Sequence, residues 1–205
     1  MTAFSDFLEN ELLDHVLKGA TYTPPTDVYI ALHKATTLNA QALAAQAVIV
    51  TVDQIANVAG LPVVVDPGGA NEEAHTVVSV TGAGPYTVTL NSNLAVTQPL
   101  GTKVKFDIDD PVATLLEPSG GAYARLKIDD VTLKFKVAAA GATDNNEDWS
   151  FTAATADWGL ITAVAVMDAL TAGNALFHGN LTTAKLIQNG DTFKFAAGAL
   201  DITLD

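Results

Sequence analysis

Cysteine is absent from the sequence, so neither a disulfide framework nor a thiolate metal centre is open to it. Cations are scarce: ten Lys and Arg stand against 23 carboxylates, a formal net charge of −13. Duplex affinity depends on Lys and Arg displacing counterions, so this balance argues against nucleic acid as a partner. Long apolar runs are missing too. None reaches the roughly 18 residues of a membrane-spanning helix, and no basic segment leads into an apolar one at the N-terminus. The expectation is synthesis in a cytosol without an export signal, and no membrane insertion. Heptads and fixed-period repeats are also lacking, and with them the coiled coils and repeats from which long shafts are built.

What remains is 49% apolar and only 16% charged, with short runs of Val, Ile and Thr that favour strands. This composition predicts a mainly β chain: an antiparallel β-sandwich or jelly roll with an N-terminal amphipathic helix and an inserted small β domain. Ser5 or Asp6 can cap the helix, and Gly19 suits its end. Its apolar positions, Phe4, Leu8, Leu12, Leu13, Val16 and Leu17, recur at helical spacing. Such a helix packs on the sandwich, docks on a neighbouring subunit, or does both in an oligomer. Pro24 and Pro25 then force an extended approach to a strand in which Val28, Ile30 and Leu32 alternate with Tyr29, Ala31 and His33. His33, at the strand end, reads as a surface residue.

Residues 39–117 change character and read as a separate small barrel or sheet. Strand patterns at 48–53, 62–66, 75–81, 86–90 and 102–108 are punctuated by Gly/Pro turns at 67–71 and 82–85, as a meander requires. The host domain is then 1–38 together with 118–205, and an insertion must keep its own ends close to leave that host intact. Beyond it, 119–128 and 131–137 read as strands. The last third, 151–205, reads as four or five short strands with turns at 168–174, 180–185, 188–191 and 196–198. Its expected core is Trp158, Leu160, Val164, Val166, Leu176, Phe177, Phe193, Phe195, Leu200, Ile202 and Leu204.

Few residues suggest chemistry. The acidic loop 143–148 and the trio Asp107, Asp109 and Asp110 are the candidates for a hard cation, because Ca²⁺ wants several oxygen ligands from a flexible loop. The EF-hand pattern is missing, and a solvated turn is the better reading. His15, His33, His75 and His178 match no zinc spacing, and alternation puts His178 on an outer face or at a subunit contact. No G-x-S-x-G elbow occurs, although a Ser/His/Asp group can assemble from distant residues. Glu117, Glu147 and Asp157 are isolated candidates for a glycosidase pair, and each sits near a turn where acidic residues belong anyway. Glycine segments 68–71 and 82–85 lack the Lys-Ser/Thr of a phosphate loop. Trp149 and Trp158 can stack on sugar, but each flanks an apolar strand, which favours the core. No catalytic, metal or cofactor site is expected.

Three blocks carry a resemblance: FSDFLENELLDHVLKGATYTPPTDVYIALH (4–33), GGAYARLKI (120–128) and the C-terminal ATADWGLITAVAVMDALTAGNALFHGNLTTAKLIQNGDTFKFAAGALDITLD (154–205). In this order they resemble a family of small tailed-bacteriophage virion proteins generally labelled tail fibre proteins. The resemblance covers about 2–38 and 118–205, while the middle segment is similar to small β modules of bacterial and phage surface proteins. It implies a virion surface location, a β-sandwich and no catalytic residues, in a protein made in the host bacterial cytoplasm. Because a shaft is missing, the leading expectation is a capsid decoration or cement protein, a homotrimer bridging major capsid subunits or other virion structural proteins. The alternative is a tail or baseplate receptor-binding protein that contacts a host surface glycan. Phe4, Leu8, Leu12, Tyr22 and Tyr29 are the expected subunit or capsid contacts, and the inserted domain is expected to face outward.

Overall fold

The computed structural model describes residues 3–53, 59–106 and 116–203. Asp107, Asp109, Asp110 and Leu204, singled out above, lie outside the described residues. The chain divides into two compact units, Met1–His33 with Asp110–Asp205, and Lys34–Asp109. The architecture is mainly antiparallel β, as the alternating apolar patterns lead one to expect.

The first unit begins with β1 (Ala3–Phe4) and α1 (Asp6–Lys18). Ser5 caps the helix: its Oγ accepts from the Leu8 amide at 3.2 Å and donates to the Ala175 carbonyl at 2.5 Å. Gly19 closes it in the left-handed conformation at φ 70°, its amide bonded to the Asp14 carbonyl. Asp6 and Glu9 in the first turn and Lys18 in the last complement the helix dipole.

In this unit β2 (Val28–Lys34), β9 (Leu126–Ile128), β12 (Gly159–Met167) and β13 (Ala175–Ile187) join β1 in a five-stranded sheet ordered β1-β13-β12-β2-β9. Two short ribbons, β10 (Ala142–Asp144) with β15 (Asp201–Thr203) and β11 (Trp149–Ser150) with β14 (Lys194–Phe195), share one core with that sheet. Ile30, Leu32, Ile161 and Ile187 supply its aliphatic part, and Trp149, Phe151, Trp158, Phe193 and Phe195 its aromatic part. Phe151 meets both Trp158 and Phe193 edge-on, at centroid distances of 6.1 and 5.8 Å, the arrangement that ring quadrupoles favour.

Several expectations are corrected here. Residues 180–185 are not a turn but part of the 13-residue β13. The register against β12 slips there: Ile161 faces Lys185 whereas Ala163 faces Asn180, so the extra residues are absorbed as a bulge. The alternation in 131–137 makes no strand. Val131–Lys134 is one helical turn, α2, whose partly buried Val131 and Phe135 pack on the core while Leu133 stays exposed. Within 119–128 only β9 is strand. The Gly120–Gly121 pair forms a turn, and a Cβ on Gly121 (φ 57°) would lie 3.1 Å from the Ala156 backbone.

The second unit contains β3 (Thr36–Thr37), β4 (Val48–Thr51), β5 (Pro62–Val65), β6 (Glu73–Thr81), β7 (Tyr86–Leu90) and β8 (Lys103–Phe106), ordered β3-β8-β5-β6-β7-β4. The two ends of this sheet meet. A Leu38–Thr51 bridge and the bonds Asn39 N–H to Val50 O (2.8 Å) and Val52 N–H to Thr37 O (3.0 Å) bring it close to a closed barrel. Inward-facing Leu38, Ile49, Val63, Val65, Val77, Val88, Leu90, Val104 and Phe106 fill it.

Candidate interaction site

In the first unit α1, the segment around α2 and the end of the five-stranded sheet enclose an apolar groove of about 450 Å³. Phe4, Leu8, Leu12 and Tyr22 line it together with Pro24, Pro25, Val131, Phe135 and Phe177. Phe4 leans on Phe177, with centroids 5.2 Å apart, and Leu8 is buried beneath the helix. Four of the five expected contact residues therefore share one surface. Tyr29 does not join them: it packs on a separate small cluster of Ala31, Ala165, Met167 and Ala175. Burial raises the Tyr22 hydroxyl pKa, with further increments from the charges of Asp168 and Glu11. Beyond the groove lining, α1 leaves Leu13, Val16 and Leu17 exposed, the last two by 74% and 75%.

A second concavity lies beside Glu117, Tyr123, Arg125 and Leu170. Its polar groups are occupied with one another. The Arg125 guanidinium grips the Glu117 carboxylate through Nε and NH2, at 2.7–3.2 Å, and donates from NH1 to the carbonyls of Ala169 and Ala172 at 2.8 and 2.7 Å. Tyr123 donates to Glu117 at 2.8 Å and accepts from the Leu32 amide at 3.0 Å. Burial drives the Tyr123 pKa strongly up, and the Glu117 charge adds to it. The cluster stitches 117–125 to the β12–β13 loop, a positioning role that occupies Glu117 fully.

The remaining carboxylate candidates are held apart. In the loop 143–148, Asp144, Glu147 and Asp148 each pair with a different lysine, Lys136, Lys134 and Lys194. Asn145 is fully buried and bonds the carbonyls of Glu147 and Ala196 and the amide of Leu200. Asp157 accepts from the Asn189 amide at 2.9 Å. Among the described residues no group of three or more His, Asp or Glu side chains is placed to hold a metal ion. Both tryptophans are buried, and Trp158 donates to the Gly121 carbonyl at 2.9 Å.

His33 departs from its expected surface placement, and His75 joins a polar group. His33 is 1% exposed and its Nδ1 accepts from the Leu116 amide at 2.9 Å. In the barrel His75 and Glu73 share one face of β6, and Ser92, just past the end of β7, meets His75. His75 Nδ1 lies 2.9 Å from Ser92 Oγ and its Nε2 lies 3.5 Å from Glu73 Oε2. The residue types are those of a nucleophilic triad, and the separation of 17 positions between His75 and Ser92 hides the grouping from sequence reading. The geometry serves another end. The Glu73 carboxylate accepts the amides of Ala95 and Val96 at 2.6 and 3.0 Å, and fixes that turn. Burial alone would raise the Glu73 pKa, but these amides and Gln98 outweigh it and the net direction is down.

Among the described residues no helix is long and apolar enough to cross a membrane. No individually curated protein matches the chain. A family model does, over residues 3–77 and 87–203, so that both units fall within the match. With nearly the whole chain covered, the protein belongs to the family described as podophage GP4 fiber I protein gp80, a phage structural fibre family of virion components.

Proposed function

We propose that the chain is a fibre-type structural component of a phage virion, seated on another virion protein through the groove face of its first unit. The family match across both units carries this reading. The groove supplies the means, since its apolar lining and the exposed Leu13, Val16 and Leu17 of the helix that walls it gain free energy when a partner covers them. Phe4, Leu8, Leu12 and Tyr22 form the seat, and Tyr29 is released from that role by its place in another cluster. The protein acts by binding rather than catalysis, as a homotrimer, and its barrel unit is the part that meets a host surface glycan.

A second reading has one observation in its favour. The sequence holds no heptads or fixed-period repeats, so it lacks a shaft of its own and suits a compact decoration protein that bridges major capsid subunits. Immunogold labelling of intact virions separates the two. Label on fibres at the tail supports the first reading; label spread over the head overturns it in favour of the second.

A further inference from the structure

The helix that walls the groove sets apolar surface and negative charge side by side. At ~100° per residue, Leu8, Leu12, Val16, Leu13 and Leu17 fill about half the circumference of α1. Only Leu8 is buried. Asp6 and Glu9 fall in the same half and Glu11 flanks it, and among the described residues none of the three makes an ion pair. The lysines nearby offer no compensation: Lys18, Lys134 and Lys136 are held by Asp14, Glu147 and Asp144.

A sister copy fits this face poorly. Of the ten cations in the chain, Lys18, Lys34, Arg125, Lys127, Lys134, Lys136 and Lys194 are already ion-paired, and Lys185 sits over the Phe193 ring. Another copy would also bring its own net charge of −13. Complementary potentials are what select partners and raise association rates.

We propose that this face docks a basic amphipathic segment of a different protein, its apolar side entering the groove and its Lys or Arg side chains meeting Asp6, Glu9 and Glu11. The inference rests on the seating role proposed above and names the chemistry of what is seated.

The test adds purified full-length chain to virions assembled without it and measures bound chain between about 50 and 500 mM NaCl, where screening of exposed charges increases. Wild-type binding is expected to fall at least tenfold with salt. Glu9→Lys with Glu11→Lys is expected to weaken it about tenfold at low salt, and Val16→Asp with Leu17→Asp more strongly. Circular dichroism melts that match wild type keep misfolding out of the comparison. Salt-independent binding that survives the charge reversal but not Val16→Asp/Leu17→Asp overturns the basic partner and leaves the seat standing. Undiminished binding of Val16→Asp/Leu17→Asp overturns the seat itself. Sedimentation equilibrium provides the remaining arm: an isolated oligomer that Val16→Asp/Leu17→Asp dissociates makes a second copy the occupant and overturns the proposal.

Discussion

The two units solve the burial problem with different residues. The first packs five aromatic rings among its strands and still leaves an apolar groove and an apolar helix stripe uncovered. The second, built from Val, Leu and Ile with Phe106 the only aromatic in its core cluster, closes its sheet on itself. Large rings fill volume but leave irregular edges, whereas β-branched residues on a pleated surface tile a barrel of even thickness. Both units leave single apolar side chains exposed, so the contrast lies in shape: the first unit keeps an apolar concavity, and that is why the proposed seat is placed there.

The largest test of this contrast is Trp158→Ala, which removes a ring in edge-on contact with both Tyr123 and Phe151 together with its bond to Gly121. It is expected to cost about 3–5 kcal/mol in the first unit. Scanning calorimetry should show one transition falling while that of the barrel stays; joint movement of both would mean the units melt as one. Arg125→Ala comes next, expected to cost about 3 kcal/mol because Glu117 and two carbonyls lose their donor at once. Chemical denaturation of the same unit measures it.

Gly121→Ala is a milder probe, at about 1–2 kcal/mol, since it combines a left-handed backbone with a 3.1 Å approach to Ala156. The smallest effect belongs to the barrel and depends on pH. The folded-state pKa of Glu73 is depressed, so its stabilisation is present above the ordinary carboxylate range and is lost as pH falls through the folded value. Glu73→Gln should therefore cost about 1 kcal/mol near neutrality and little in acid. Melting at pH 7 and pH 3 tests the sign; equal losses at both would place the effect of Glu73 in shape rather than charge.

How much of the fold was legible in the sequence depends on the range of the interactions involved. The helix could be read residue by residue, because Ser5, the apolar spacing and Gly19 are local signals. The barrel strands could be read too, since tight turns punctuate them. The failures share a cause. The 131–137 segment alternates like a strand, yet its first half takes one helical turn, and its backbone pairs with 144–146 only around Phe135, through a single bridge to Asn145. The β13 segment hides its length behind Asn180 and two threonines because a bulge tolerates what a regular ladder would not. The groove was legible only in its helical half. That Tyr22, Phe135 and Phe177 close the other side depends on pairings more than a hundred residues apart, as does the placing of Tyr29 elsewhere.

The near-closure of the barrel has one more consequence. Every sheet that ends in open strands offers a ladder of unpaired N–H and C=O groups to whatever lies alongside. In the barrel the Leu38–Thr51 bridge and its flanking bonds occupy that ladder internally. Among the described residues of this unit, two copies brought side by side therefore find little open ladder by which to zip into one another.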